Sequence, residues 1–131
     1  MDFETLVSVA INLNKKRREN LLDIKLMLSN LHYALEYCTV TINLGRMTGK
    51  TRYIKRYARK GDVVILHDYR QASHWEDFKT CLVFANGTIV DRCGKDAIIW
   101  VDNASLFSKE NLLEITRAYC SRQDVTFVFL G

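Results

Sequence analysis

The sequence predicts an α/β protein with a mostly parallel sheet, flanking helices and one inserted β-hairpin at about residues 81–92. Three observations carry this. Short β-branched apolar runs alternate with segments of helical period, as expected of strands joined by crossover helices. Those runs are continuously apolar rather than alternating, which is the pattern of strands covered on both faces. Finally, Asn86-Gly87 separates two short apolar runs, and this pair tolerates positive φ at both central positions of a type I′ turn.

Residues 2–11 read as a short helix, and "NLNKKRREN" is basic and polar enough to be its end or a turn, with Lys15 to Arg18 solvated. The following "NLLDIKLMLSNLHYALEYC" places Leu21, Ile24, Met27 or Leu28, Leu31 and Leu35 at three-to-four spacing. This predicts one long amphipathic helix packed on a core. "CTVTINL" is then a buried strand, leading through a glycine-containing loop into the helix "GKTRYIKRYARK". Gly61 ends that helix and opens a second buried strand, "GDVVILHD".

"ASHWEDFKT" reads as a short helix with Ser73 as N-cap and Glu76 at capping-box distance. After the hairpin "CLVFANGTIVDRC", the run Ala97 to Val101 forms a very apolar strand that ends on Asp102. Ser108 caps a helix with Leu112, Ile115 and Tyr119 on one face, and "DVTFVFLG" is a final buried strand. At 131 residues the chain suits one domain with one core. Its apolar share of 48% and charged share of 26% exclude the composition of a disordered chain.

A formal net charge of +4 permits an anionic partner without requiring one. No apolar run reaches the ~18 residues of a membrane span, and the amino terminus carries acids first and bases last, the reverse of a secretory signal. Cys38, Cys81, Cys93 and Cys120 form no C-x-x-C pair and read as reduced, buried thiols of a cytoplasmic protein. His32, His67 and His74 do not fall at metal-ligand spacing with them, so the histidines read as structural or solvent-facing.

The chemistry concentrates in "GRMTGKT". A phosphate-binding loop of the form G-x-x-x-x-G-K-[ST] wraps backbone N–H groups around phosphates at a helix start. Its lysine supplies a mobile charge and its hydroxyl ligates magnesium. Here Gly49, Lys50 and Thr51 fit the end of the pattern, while the leading glycine stands one place late, at Gly45, with Leu44 in its expected position. An acid at the carboxyl end of a neighbouring strand would complete the magnesium site, and Asp102 is the candidate. Each has a plainer reading, a turn that happens to contain Gly-Lys-Thr and an ordinary strand-ending aspartate.

A hydrolase of this kind also needs a base to orient water. The place after Asp102, where Glu is common, holds Asn103, whose amide can hold a water but cannot take its proton. Glu110 and Asp68 are possible substitutes by location. Arg52, Lys55, Arg56, Arg59 and Lys60 form a basic stripe that fits either a nucleic-acid backbone or a solvated helix face.

These residues together resemble the ATPase domain of the large terminase subunit, the DNA-packaging motor of tailed phages and related viruses. "GRMTGKT" has the family's Arg-x-x-Gly-Lys-Thr form, with Arg46 in place. "FANGTIV" is similar to the hairpin before the family's acid-bearing strand, and Arg92, Gly94 and "AIIWVD" are similar to its Arg-Gly step and that strand. The likeness covers about residues 30–131 and implies that ATP or another NTP binds with Mg2+.

By the same likeness Gly45, Arg46, Met47, Thr48, Gly49, Lys50 and Thr51 bind the phosphates, and Thr51 and Asp102 hold the metal. Lys50, Asp102 and Asn103 occupy the catalytic positions. It also implies a single domain, with a helical segment at 1–37 and a nucleotide-binding core at 38–131 that is shortened against full terminases.

The sequence therefore supports two main readings. One is a reduced, phage-encoded, DNA-associated weak ATPase, with Arg92, Arg117 or Arg122 of a neighbouring copy as an arginine finger. The other is a degenerate, non-enzymatic regulator, assembly factor or inhibitor that binds a related motor or itself. A small P-loop kinase is a third reading, though no Arg-rich lid segment supports it.

Overall fold

A computed structural model of the chain describes residues 2–43, 49–75, 82–85, 93–121 and 125–131. Its centre is a five-stranded sheet built from β1 (Thr39–Ile42), β2 (Val63–Leu66), β3 (Leu82–Ala85), β4 (Ile98–Asp102) and β5 (Thr126–Leu130). The strand order is β1-β5-β4-β2-β3 and every pairing is parallel. A parallel arrangement puts all five carboxyl ends on one edge, and the register holds them nearly flush, with Asp102 opposite Leu130 and Leu130 opposite Ile42.

The sheet separates two apolar layers, and side-chain alternation assigns residues between them. Val63, Ile65, Ile99, Val101, Phe127 and Phe129 face one layer, with α3 (Asn30–Tyr37) and α5 (Lys109–Tyr119). Val64, Leu66, Ile98, Trp100, Val128 and Leu130 face the other, with α1 (Phe3–Arg18) and α4 (Lys50–Tyr57). β2, β4 and β5 are buried along their whole length, as their unbroken apolar runs predict.

At the amino terminus, α1 runs to Arg18 rather than ending near residue 11. Asp2 caps it by accepting from Thr5 N at 2.7 Å, Val7 and Ile11 are buried one turn apart, and four cations sit favourably at its carboxyl end. The basic run is also not simply solvated. Lys15 and Arg18 are half-buried, and Arg18 donates to the Val125 carbonyl at 3.2 Å and to the Thr126 hydroxyl at the start of β5.

The expected long helix is broken into α2 (Leu22–Met27) and α3. Leu28 is extended and the Ser29 hydroxyl caps the new helix by accepting from His32 N at 3.1 Å. The break rotates the second half, so Tyr33 and Ala34 enter the core while Met27 and Leu35 are left exposed.

Between β2 and β3 the chain forms a 3₁₀ segment, Tyr69–Trp75, and Ser73 lies inside it, donating to the Arg70 carbonyl rather than capping a helix. Glu76 lies outside the described residues. β3 also differs from expectation: it is not an ornament but the edge strand of the sheet, parallel to β2. Its parallel partner is what an antiparallel sequence cue cannot reveal. The Asn86-Gly87 turn and the returning strand lie outside the described residues. Among the cysteines, Cys38 is buried, whereas Cys93 and Cys120 are only half-buried, and Cys81 lies outside the described residues. No described helix is long and apolar enough to cross a membrane.

Candidate functional site

At the carboxyl edge of the sheet, Gly49 caps α4, and Lys50 and Thr51 form its first turn. A side chain at Gly49 would touch the Phe3 ring of α1 at 3.4 Å, so α1 covers the approach to this turn. Phe3 and Ser8 hold the α4 core residue Tyr53, by an edge-on ring contact and a 2.7 Å hydroxyl hydrogen bond respectively. Glu4 pairs with Arg56 at 3.2 Å. The amino-terminal helix is thus a wall of the site rather than an appendage.

The expected acid is not on the strand next to β1, because β5 lies between β1 and β4. Two strand spacings of about 4.8 Å would separate an acid on β4 from β1. The gap is closed from above: Asp102 shares the parity of Ile98 and Trp100, so its side chain stands on the α4 face of the sheet. There the Thr51 hydroxyl donates to Asp102 Oδ2 at 2.7 Å. Just past the end of the intervening strand, the Gly131 N–H donates to the Ile42 carbonyl at 2.8 Å. A side chain at Gly131 would meet Asn43 at 3.0 Å.

Asp102 is 3% exposed, and its second oxygen, Oδ1, is buried without a hydrogen-bond partner. Burial pushes its carboxyl above the ordinary carboxylate range. The Thr51 hydrogen bond and the nearby Lys50 charge oppose that rise without cancelling it. Lys50 itself is 9% exposed, which is unusual for a lysine and keeps a cation close to this carboxyl. A hydroxyl and a carboxylate with one unpartnered oxygen form a hard-oxygen donor set of the kind magnesium takes when phosphate and water oxygens complete its shell. The residues present therefore fit the ion. Among the described residues no group of three His, Cys, Asp or Glu side chains could hold a metal without such a ligand.

Asn103 has φ 55 and ψ 47, a left-handed conformation, and its carbonyl accepts from Leu106 N as a 3₁₀ turn begins. Asn tolerates this region better than other non-glycine residues, so the backbone supplies a reason for Asn at this position independent of catalysis. The substitute bases fare differently. Asp68 is engaged by Arg70, whose guanidinium and backbone N–H hold its carboxyl below the ordinary range and make it a weak proton acceptor. Glu110 is exposed in the first turn of α5. Gly45, Arg46, Met47 and Thr48 of the loop, and the finger candidates Arg92 and Arg122, lie outside the described residues. Arg117 is exposed on α5.

The basic stripe does not form one face. α4 ends at Tyr57, so Arg59 and Lys60 lie beyond the helix. Lys55 donates to the His74 carbonyl at 2.6 Å and lies over the Trp75 ring, while Arg56 is paired with Glu4. Arg59 donates to the Asp96 carbonyl on the way to the opposite edge, and Arg52 and Lys60 are left exposed.

Asp62 gives no sign of importance in the sequence beyond an acid placed just before an apolar run. Its buried carboxylate accepts from Ile98 N at 3.0 Å, Trp100 Nε1 at 3.1 Å and Arg59 N at 2.9 Å. It thereby ties the end of α4 to the start of β4, the two elements that carry Thr51 and Asp102. Beside it Gly61, at φ 94, meets Gly94 in a glycine-to-glycine contact, where added side chains would come within 3.3 Å of the facing backbone.

Neither a protein-family model nor a curated protein nor a solved structure matches the chain.

Proposed function

We propose that this chain is a small P-loop protein of the terminase ATPase type, which binds a nucleoside triphosphate with magnesium at the carboxyl edge of its sheet and hydrolyses it slowly. The observation that carries the reading is the 2.7 Å hydrogen bond from Thr51 to Asp102 beside the buried Lys50. It joins the hydroxyl at the start of the helix after a strand and loop to an acid at the tip of another strand. Both residues belong to the sequence pattern, and their contact supports this reading over a chance Gly-Lys-Thr turn.

In this reading the amino terminus of α4 faces the phosphates, and its N–H groups and positive end favour their charge. Lys50 balances charge that develops on the γ-phosphate during in-line attack by water. Thr51 and Asp102 hold Mg2+, which neutralises phosphate charge when bound. Asn103 orients water without accepting its proton, which limits the rate. Association with DNA would use the exposed Arg52 and Lys60 with Lys55 and Arg59, a weaker patch than an unbroken basic helix.

A second reading, nucleotide-dependent regulation without turnover, is favoured by Asn103 and by the engaged state of Asp68. One experiment separates the two. Magnesium-dependent binding and hydrolysis of ATP are measured with and without DNA, for this chain and for Lys50→Ala. Turnover that DNA stimulates and Lys50→Ala abolishes supports the enzyme, whereas binding without turnover supports the regulator. Absence of any magnesium-dependent binding sinks both. At nucleotide a hundredfold above Kd, binding should also stabilise the fold by about 2.7 kcal/mol.

A further inference from the structure

The opposite, amino-terminal edge of the sheet holds a cleft of about 780 Å³, within the range of small-molecule sites. Tyr33, Ala34 and Phe127 supply apolar lining. Around it stand four cations, Lys15 and Arg18 from α1, Lys25 from α2 and Arg59 from the segment after α4, against two acids, Glu19 and Asp96.

Three of these cations contact neutral groups. Arg18 donates to a carbonyl and a hydroxyl, and its Nε is buried without a partner. Arg59 donates to the Asp96 carbonyl at 3.3 Å, and Lys25 lies 5.7 Å from the centre of the Tyr33 ring. Among the described residues the ion pairs are His32–Glu36, Arg56–Glu4 and Arg70–Asp68, and none includes a cation of the cleft. Desolvation, followed by repulsion from Arg59 and Arg18, pulls the Lys15 ammonium below the ordinary lysine range, and the charges of Asp62 and Asp96 oppose that fall without cancelling it.

A plainer account is that these cations only offset the negative helix ends at this edge. It covers Lys15 and Arg18 in the last turn of α1. It does not cover Arg59, which comes from a different segment and is held beside Lys15 at the same cavity by Asp62 and the Asp96 carbonyl.

We propose that this cleft binds a small phosphate monoester, with the phosphate between Lys15, Arg18 and Arg59 and the organic part against Tyr33 and Phe127. Asp62 and Asp96 attract Lys15 without cancelling its repulsion from Arg18 and Arg59, and an incoming dianion would add charge-assisted hydrogen bonds to all three cations. The site lies at the far edge from Thr51 and Asp102, and the inference does not depend on the nucleotide reading.

The test titrates phenyl phosphate into the whole chain by calorimetry, using the Lys50→Ala background so that the other edge contributes nothing. Saturable binding is expected, weakened at least tenfold by Lys15→Ala and by Arg59→Ala. Because Lys15 is strained by its neighbours, Lys15→Ala should keep or raise the melting temperature while losing the ligand, which separates lost contacts from lost folding. Three results would each overturn the proposal: no saturable binding, binding indifferent to both substitutions, or a single-stranded oligonucleotide engaging these residues while phenyl phosphate does not.

Discussion

Thr51 and Asp102, 51 positions apart in the chain, meet through a 2.7 Å hydrogen bond at the carboxyl edge of the sheet. Strand parity sets Asp102 on the α4 face, and the helix start brings Thr51 over the tip of β5 to reach it. A double-mutant cycle reads the link directly. Thr51→Val should cost about 1.5–3 kcal/mol at neutral pH, the range for a hydrogen bond to a charged group. The same change in an Asp102→Asn background should cost less, and equal costs in the two backgrounds would show that the bond contributes nothing.

Asp102 also predicts a pH dependence. Its folded carboxyl is raised above the ordinary range chiefly by burial, so the neutral form favours folding. That contribution is fully present below the ordinary carboxylate range and is lost as pH rises through the raised value. Without magnesium, Asp102→Asn should therefore be more stable than the parent at neutral pH, with the gain shrinking to nothing in acid. Denaturant unfolding across pH checks this, and a gain that persists unchanged in acid would assign it to another cause.

Asn103→Glu tests catalysis and backbone together. The left-handed backbone at 103 should make the variant about 1 kcal/mol less stable, while Asn103→Gly should be tolerated. If only the base is missing, ATP turnover by Asn103→Glu should exceed that of the parent despite this cost. Faster turnover with no stability loss would contradict the backbone argument.

Removing Asp62 strands buried donors. Asp62→Ala should lower unfolding free energy by about 3 kcal/mol, since Ile98 N and Trp100 Nε1 lose their acceptor inside the core. Trp100 fluorescence gives a local readout, and a variant as stable as the parent would show that water replaces the carboxylate.

The strands were the most legible part of the fold, because an unbroken apolar run such as Val63–Leu66 has few outcomes other than burial on both faces. Ser108 was equally legible as a cap, since its hydroxyl acts on a residue three places away. The break at Ser29 was harder. Leu21 to Leu35 satisfies a helical period throughout, and only the competing cap at Ser29 splits it. The place of β3 was not legible at all, because its partner in the sheet is chosen by packing and not by its own residues.

By itself the sequence determined that strands would alternate with helices, that Gly49, Lys50 and Thr51 would begin a helix after a strand, and that Asp102 would end a buried one. Tertiary structure decided that these join. β5, the last strand in the chain, enters between β1 and β4, and parity turns Asp102 toward Thr51. It likewise decided that Lys15, Arg18 and Arg59 surround one cleft. The physical reason is the same in both cases: periodicity and capping act within a few residues, whereas strand order and contacts across the sheet arise from burying both faces at once.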